Sequence, residues 1–327
     1  MQLPRYLSAA IEELTAGQQS GISSASAQLT VRYKRADFSA PALRSQADRL
    51  AYLTTRLPAT FAALTRVFRE LIRLAAGAEI STLLDLGAGP GTALFAAAEA
   101  MPELRRATLF EADAEWLHLG KQLAAQTPFP VVRSAEWWQR DLRSPAELPP
   151  YDIVVISYSL GELTTHAVDS VIEAAWKSAQ TFLVLIEPGT VRGFGIINHA
   201  RTALIGRGAE ILAPCPHKNV CPMAEAGDWC HFAQRVERSS QHRRAKEASR
   251  GYEDEKFSYV IATRKSFPAA KARIVRHPQK HSGHINLELC TPDGLRQKTI
   301  TRSAKQAYKG ARHAGWGDEF PLQQHEP

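Results

Sequence analysis

The residues best suited to chemistry lie in one short glycine-rich segment, Asp85-Leu86-Gly87-Ala88-Gly89-Pro90-Gly91. Apolar residues before it predict a buried strand over Thr82–Leu86, and the residues after it predict a helix over Ala93–Ala100. A strand that passes through a glycine-rich turn into a helix lets the backbone approach a ligand where side chains would block it. We therefore predict a cofactor loop whose contacts are made by Gly87, Gly89 and Gly91.

Two acidic residues indicate the class of cofactor. Asp85 ends the first strand, and Glu111 ends the next strand about twenty residues later, where a carboxylate can hold a ribose diol. A pyrophosphate would face the helix N-terminus, whereas the positive charge of a methyl-sulfonium group suits Asp85. The pattern D-x-G-x-G-x-G with an acid after the second strand resembles the S-adenosylmethionine site of Rossmann-like methyltransferases. A nicotinamide cofactor is the alternative.

The same resemblance extends the predicted S-adenosylmethionine site to two further strand ends. Asp141 follows the third predicted strand and would bind the adenine amino group, unless it is a solvated loop residue. Ser157 ends the fourth strand, where this fold presents its reactive groups. The residues after Ser157 include neither an Asn-Pro-Pro-Tyr-like tetrad nor a cysteine nucleophile, so the sequence identifies no catalytic residue. Methyl transfer depends chiefly on in-line positioning, and enzyme status stays open.

The cysteines are the second chemical feature, and they are Cys215, Cys221, Cys230 and Cys290. Three of them lie in a proline-containing loop that supports little regular structure unaided. Four thiolates suit either a tetrahedral zinc ion or a 4Fe-4S cluster. The chain has no C-x-x-C knuckle, and prolines follow Cys215 and Cys221, which favours the cluster. Zinc remains an alternative because His217 or His231 could replace a thiolate, and four unliganded thiols are the third.

Hydrophobic periodicity predicts the elements that position these residues. Apolar residues three and four apart over residues 50–72, interrupted at Pro58, predict two consecutive amphipathic helices. Short apolar runs that alternate with helical segments predict a doubly wound α/β sheet covered on both faces. The predicted strands are Thr82–Leu86, Ala107–Phe110, Pro130–Arg133, Asp152–Ser157, Phe182–Ile186 and Phe257–Thr263.

These elements divide the chain into three predicted parts. Residues 1–78 form an N-terminal helical cap, and residues 79–265 form a Rossmann-like α/β domain of the class I methyltransferase type. Residues 191–256 are too long for a simple crossover, so we expect a cysteine-rich insert that forms a module of its own. Residues 266–327 are a small basic β segment with a turn signal at Thr291-Pro292-Asp293-Gly294. Its predicted strands are Arg273–Arg276, His284–Cys290 and Arg296–Thr301.

Composition bounds the class of protein. Of 327 residues, 44% are hydrophobic and 22% are charged, which is typical of globular proteins and excludes collagen-like, coiled-coil and wholly disordered classes. No apolar run approaches the ~20 residues that span a bilayer, so we expect no membrane segment. The first residues lack the pattern of a signal or transit peptide, so we expect a cytoplasmic protein with reduced cysteines.

Positive charge is concentrated in the last third of the chain. The net charge is +7, and residues 232–327 hold 19 basic and 10 acidic side chains. This distribution indicates a polyanionic partner, most simply nucleic acid, with a solvated basic surface as the alternative. The first basic cluster is Arg235, Arg238, His242, Arg243, Arg244, Lys246 and Arg250, and the second is Lys298, Arg302, Lys305, Lys309 and Arg312.

The segments around the cysteines resemble one protein family. The matching segments include Glu187-Pro188-Gly189-Thr190, Cys215-Pro216-His217, Cys221-Pro222, Trp229-Cys230-His231-Phe232, Tyr252–Tyr259 and Leu289-Cys290. They resemble the methyltransferase-like assembly proteins of the mitochondrial small ribosomal subunit and their bacterial homologues. The resemblance implies S-adenosylmethionine binding, contact with small-subunit rRNA, and an iron–sulfur cluster held by Cys215, Cys221, Cys230 and Cys290.

Three functions follow as hypotheses. The first is a ribosome-associated, methyltransferase-like protein that binds S-adenosylmethionine and an iron–sulfur cluster and acts on or helps assemble the small ribosomal subunit through its rRNA. The second is a non-catalytic small-subunit assembly factor, in which the pocket and the cluster are structural or sensing elements. The third is a small-molecule methyltransferase with a zinc loop, for which the basic residues would be incidental.

Overall fold

The structure is a computed structural model. It describes residues 1–35, 45–143, 147–246, 249–268 and 270–321. Within these ranges no helix is both long enough and apolar enough to cross a membrane.

Among the described residues, the helices before the first strand are α1 Arg5–Leu14, α2 Gln19–Arg35, α3 Gln46–Thr55 and α4 Leu57–Leu74. The Ser45 hydroxyl caps α3 by accepting a hydrogen bond from the Asp48 N–H at 3.1 Å. Pro58 lies in the first turn of α4, where a missing N–H leaves no helical hydrogen bond unmade. The prediction of two consecutive helices around Pro58 is therefore confirmed.

An eight-stranded sheet forms the centre of the molecule. Its strands are β1 Thr82–Leu86, β2 Arg106–Glu111, β3 Glu136–Gln139, β4 Tyr151–Ser157, β5 Ala179–Pro188, β6 Glu210–Ala213, β7 Phe232–Glu237 and β8 Tyr252–Thr263. The order is β3-β2-β1-β4-β5-β8-β6, with β7 also paired to β8. Strands β1 to β5 are parallel, and β8 is antiparallel to β5, β6 and β7. This is the predicted class I methyltransferase-like, doubly wound α/β fold.

Helices cover both faces of the sheet. The helices that follow its strands are α5 Thr92–Ala100, α6 Ala114–Ala125, α7 Pro130–Arg133, α8 Thr165–Ser178 and α9 Val191–Gly206. On one face, a buried cluster packs the helices α4, α5, α6 and α7 against strand residues such as Leu83 and Val155. On the other face, a second cluster packs α8 and α9 against Leu84 and Val154. Neighbouring strand residues point to opposite faces, so a strand covered on both sides is apolar throughout.

The third predicted strand is wrong. Pro130–Arg133 forms the short helix α7 with Pro130 in its first turn, and the strand lies later, at Glu136–Gln139. Proline fixes a φ that suits a first helical turn and lacks the N–H that a central strand needs. The true strand is at the sheet edge and has only two apolar residues, Trp137 and Trp138, between polar ones, so it has no long apolar run.

Residues 191–256 are not a module separate from the sheet. They contribute α9, β6, α10 Pro222–Glu225, β7 and α11 Ser240–Ala245, and both strands pair with β8. Strand β8 begins at Tyr252 rather than Phe257, because its polar first half pairs with β7 while its apolar second half pairs with β5 and β6. An apolar pattern reveals only the second half.

A second sheet follows and has four strands, β9 Arg273–Ile274, β10 Gln279–Lys280, β11 His284–Thr291 and β12 Gly294–Thr301, with α12 Lys305–His313 after it. The predicted turn joins β11 to β12, and Gly294 adopts a φ of +111° there. Ile274, Leu287 and Ile300 are buried in the core of this sheet. The three predicted strands are present, and β10 pairs with β11 in addition.

Candidate cofactor site and cysteine cluster

The loop between β1 and α5 has the conformation that its glycines allow. Gly87, Gly89 and Gly91 have φ values of +73°, +54° and +84°. A Cβ on Gly87 would lie 2.7 Å from Ser159 Oγ, and one on Gly91 would lie 2.7 Å from the Trp137 ring. A Cβ on Gly89 would meet nothing within 4 Å. Two of the glycines are therefore required by packing, and Gly89 faces open space that a ligand can enter.

Asp85 is a buried carboxylate without a partner. Its residue is 0% exposed, and neither carboxylate oxygen has a hydrogen-bond donor among the described residues. Burial, followed by the nearby negative charge of Glu111, raises the pKa of Asp85 to about 8. A buried ionisable group without a partner is costly, so this carboxylate is suited to a cationic ligand.

Glu111 lies at the end of β2, next to the glycine loop. Its Oε2 accepts a hydrogen bond from the Gly89 N–H at 2.7 Å, and its Oε1 accepts one from the Asp113 N–H at 2.9 Å. Burial raises the pKa of Glu111, while these backbone donors act in the opposite direction. Each oxygen keeps a lone pair for a further donor, such as a ribose hydroxyl.

Two other predicted cofactor residues lie near the same edge. Ser157 ends β4, the strand next to β1, and is half-buried. Asp141 lies after β3 and lines a cavity of about 20 Å³ together with Phe110, room for about one water. The Asp141 carboxylate accepts hydrogen bonds from Arg143, which hold the pKa of Asp141 below its usual value. The structure thus brings Asp85, Glu111 and the glycines together, and Asp141 lies at the margin of this group of cofactor residues.

Sequence analysis missed a group of polar residues on the other side of this edge. Glu187, near the end of β5, is 2% exposed and accepts a hydrogen bond from the Leu160 N–H at 2.9 Å. Burial raises the pKa of Glu187 to about 8. Tyr158 has a φ of +58°, and its hydroxyl donates to Glu255 Oε1 at 3.4 Å. A single carboxylate at the end of the apolar run Phe182–Ile186 was the available signal for Glu187.

The N-terminal helices reach across the same edge. Arg56, which follows α3, lies 3.5 Å from the Glu255 carboxylate. Arg49 of α3 forms an ion pair with Asp113, and the Tyr52 ring packs against Trp116 with 5.2 Å between centroids. The helical cap is therefore attached to β8, to α6 and to the residue Asp113 that follows β2, beside the candidate cofactor residue Glu111.

The cysteines come from three parts of the chain and converge. Cys221 and Cys290 belong to one buried apolar cluster, and Cys230 packs against it. Burial raises the pKa of Cys230, and the nearby thiols Cys215, Cys221 and Cys290 raise it further. Burial raises the pKa of Cys290 to about 12, with Cys215 and Cys221 again contributing. The four predicted ligands therefore lie close enough to influence one another electrostatically.

Convergence does not produce a ready single-ion site. Within the described ranges, no three His, Cys, Asp or Glu side chains form a group that could hold one metal ion. Cys290 Sγ lies 3.4 Å from His217 Nε2, and His217 Nδ1 is buried without a partner. The His231 ring is stacked on Trp229, with 5.2 Å between ring centroids.

The two basic clusters differ in their contacts. In the first, Arg238 and Lys246 each lie 2.9 Å from the Glu253 carboxylate, Arg235 pairs with Asp254, and His242 is buried. The remaining members of the first cluster are exposed, namely Arg243, Arg244 and Arg250. In the second cluster all members except the half-buried Lys298 are exposed, and none forms an ion pair with another described residue.

Comparison with known proteins gives the family. A family described as mitochondrial small ribosomal subunit Rsm22 matches residues 46–321. The human mitochondrial ribosome assembly protein METTL17 is 31% identical over 293 residues, which cover 84% of this chain and 62% of METTL17. A mitochondrial Rsm22-cox11 tandem protein of Schizosaccharomyces pombe is 27% identical over 338 residues, 84% of this chain and 43% of the relative. The chain thus spans about half the length of these relatives.

Solved structures are similar at low identity. Magnesium protoporphyrin IX methyltransferase from Synechocystis with bound SAH has 12% identity and a TM-score of 0.42, over 72% of this chain and 94% of the enzyme. The N-methyltransferase NodS from Bradyrhizobium japonicum in complex with S-adenosyl-L-homocysteine has 11% identity and a TM-score of 0.40, over 62% and 86%. These likenesses concern the fold alone.

The expectation of a cytoplasmic protein is wrong, because the matching family and both relatives are described as mitochondrial. Globular composition and reduced cysteines are compatible with either compartment, so they could not distinguish the two. The family match extends over most of the described residues and includes the glycine loop and all four cysteines. The chain belongs to the mitochondrial small ribosomal subunit Rsm22 family.

Proposed function

We propose that this protein assists assembly of a small ribosomal subunit of the mitochondrial type and binds S-adenosylmethionine at the glycine-rich edge of its sheet. METTL17 is named as a ribosome assembly protein, and its similarity extends over 84% of this chain. The observation that carries the cofactor assignment is the Asp85 carboxylate, which is buried, has no donor among the described residues and lies beside the glycine loop.

Each residue of the proposed site has a distinct task. S-adenosylmethionine supplies a positive charge and a transferable methyl group, and Asp85 would balance that charge. Glu111 is oriented by two backbone N–H groups and would accept hydrogen bonds from the ribose. Gly89 leaves space for the ligand. Asp141 would bind the adenine amino group in exchange for its contact with Arg143, and Ser157 would border the reacting end.

We further propose that the four cysteines hold a 4Fe-4S cluster. The packing of Cys221, Cys230 and Cys290 in one apolar cluster supports this assignment, as does the absence of C-x-x-C knuckles from the sequence. Zinc, with His217 in place of one thiolate, is the alternative. The cluster would tie β11 to the loop before β7 and would add its binding energy to the folding energy of the second sheet.

The second basic cluster is the proposed contact with small-subunit rRNA. Its lysines and arginines lie around α12 and β12, all but the half-buried Lys298 are exposed, and they form no ion pair within the described part of the chain. Phosphates can therefore approach them without breaking an existing pair. Arg243 and Arg244 of the first cluster are exposed as well and would extend the contact, whereas Arg235, Arg238 and Lys246 are engaged with carboxylates.

One observation favours a non-catalytic assembly factor as the second candidate. Tyr158 and Arg56 both contact the Glu255 carboxylate beside the end of β4. In this fold the methyl acceptor approaches the donor near that strand end, and here the shared contact with Glu255 places Arg56, which follows α3, beside it. A protein in this conformation would hold the donor without presenting it to an RNA base.

Cofactor titration followed by a labelled methyl-transfer assay distinguishes the functions. We expect 1:1 binding of S-adenosylmethionine in calorimetry and association with immature small subunits. Label in the rRNA would identify a methyltransferase, and association without label would identify an assembly factor. Label in small molecules without subunit association would support a small-molecule methyltransferase and contradict the proposal. Neither S-adenosylmethionine binding nor subunit association would also contradict it.

A further inference from the structure

A buried arginine lies beside the loop that carries two of the cysteines. Arg201 on α9 is 4% exposed, and its Nη2 donates hydrogen bonds to the His217 carbonyl at 2.8 Å and the Asn219 carbonyl at 2.9 Å. Both carbonyls belong to the segment between Cys215 and Cys221. Arg201 therefore fixes the backbone on which these thiols are mounted.

The charge of Arg201 is not balanced by a carboxylate. Two other arginines near the thiols are paired: Arg273 lies 2.5 Å from the Glu70 carboxylate, and Arg276 pairs with Asp228. No described carboxylate lies within 4.0 Å of Arg201, and its Nε is buried without a hydrogen-bond partner. An unpaired buried charge is strongly unfavourable, so a negative group is required nearby when the site is complete.

The thiols are the negative group that the geometry offers. Arg201 donates to the His217 and Asn219 carbonyls, so its guanidinium lies beside the segment that carries the Cys215 and Cys221 thiols. Metal ligation requires thiolates, and four thiolates around iron or zinc carry a net negative charge. A bound metal group with its thiolates would thus supply the negative charge that balances the Arg201 guanidinium.

We propose that Arg201 is a positioning residue for the metal group at the cysteine cluster, holding the Cys215–Cys221 segment through two carbonyls and balancing the bound thiolates with its buried charge. This inference rests on the proposed function, because it presupposes a metal group on the four cysteines. A positive charge beside a redox centre favours the reduced form, so Arg201 also raises the reduction potential of an iron–sulfur cluster.

Two substitutions separate the charge from the packing. Arg201→Met removes the charge and both carbonyl hydrogen bonds, and Arg201→Lys keeps the charge. Arg207→Met is the matched control, because Arg207 follows the same helix but is exposed and pairs with Glu173. The full-length proteins would be purified without oxygen and assayed for iron, sulfide and zinc per chain, for metal release to a chelator, and for reduction potential when iron is present.

We expect Arg201→Met to lose metal several-fold faster than wild type and, with iron, to have a lower reduction potential. Arg201→Lys should restore the potential and most of the metal content, and Arg207→Met should match wild type. If wild type binds metal and Arg201→Met has the same rate of metal release and the same reduction potential, the proposed role of Arg201 is wrong, while the cluster assignment stands. If Arg201→Lys loses metal as fast as Arg201→Met, the charge of Arg201 does not stabilise the metal group. A wild type that binds no metal would overturn both the cluster assignment and this inference.

Discussion

Asp85 gives the ligand-free protein a pH dependence with a definite sign. Its folded pKa of about 8 lies above the ordinary value of 3.8, so the folded state holds the proton more tightly than the unfolded state. The free energy of unfolding therefore falls as the pH rises from about 4 to about 8. Glu187, with a pKa of about 8, contributes with the same sign.

Asp85→Asn should reduce the fall in the free energy of unfolding with rising pH without abolishing it, because Glu187 still contributes. At pH 8 the variant should be more stable than wild type by about 1–3 kcal/mol, since an unpaired buried charge has been removed. Urea unfolding of the ligand-free proteins at pH 5 and pH 8 checks this. Equal slopes for the two proteins would show that Asp85 is solvated or partnered in solution.

The same carboxylate should make cofactor binding depend on pH. Asp85 must be ionised to balance the sulfonium charge, so the affinity of wild type for S-adenosylmethionine should rise as the pH increases from 6 to 8. Asp85→Asn should bind at least tenfold more weakly at pH 8. Calorimetry across this range measures both effects, and a pH-independent affinity in wild type would remove Asp85 from the site.

Gly89→Val tests the open space in the glycine loop. A valine at a φ of +54° is strained by roughly 1–2 kcal/mol and would project its side chain where the ligand approaches. Gly77→Val is the matched control, because Gly77 also has a positive φ and open space but lies in the turn before β1. We expect similar loss of stability in both variants and loss of S-adenosylmethionine binding only in Gly89→Val. Wild-type affinity in Gly89→Val would contradict the assignment.

At the scale of elements, local patterns were sufficient for some features and not for others. The glycine loop could be predicted because strand, turn and helix follow one another within the segment Thr82–Ala100. The β7 pairing could not, because its partner is the polar half of β8. The contact between Arg56 and Glu255 joins residues 199 positions apart, and no periodicity encodes it. Convergence of the cysteines was implied by family resemblance, not by spacing.

Cys290 connects the second sheet to the cysteine loop. It lies in β11 opposite Arg273 of β9, and Arg273 donates to the Pro214 carbonyl at 3.0 Å. If a metal group joins Cys290 to the other thiols, Cys290→Ser should lose metal and loosen β9, because binding energy is then folding energy. Limited proteolysis should cut between Arg264 and Arg276 in this variant more than in wild type. If Cys290→Ser keeps its full metal content and the wild-type resistance to protease, Cys290 is a buried core thiol, and His217 becomes the candidate for the fourth ligand.

At the scale of the whole molecule, charge should determine RNA binding. Lys305→Glu with Lys309→Glu, and separately Arg243→Glu with Arg244→Glu, should weaken binding to small-subunit rRNA. Each lost phosphate contact should reduce the log–log salt slope by about 0.7–0.9. Arg105→Glu with Lys177→Glu is the control, since both residues are exposed and lie outside the two clusters. If either test variant keeps the wild-type salt dependence of binding, that basic cluster is a solvated surface and does not contact RNA phosphates.

We propose that this chain binds the assembling small subunit, and sedimentation can test that binding. Purified immature small subunits, mature small subunits and large subunits would be mixed separately with the protein and centrifuged through sucrose gradients. We predict stoichiometric co-sedimentation with immature small subunits, reduced by substitution of Lys305 and Lys309 and weaker with the other two particles. A protein that stays at the top of all three gradients, or that binds all three particles equally, would contradict a role in small-subunit assembly.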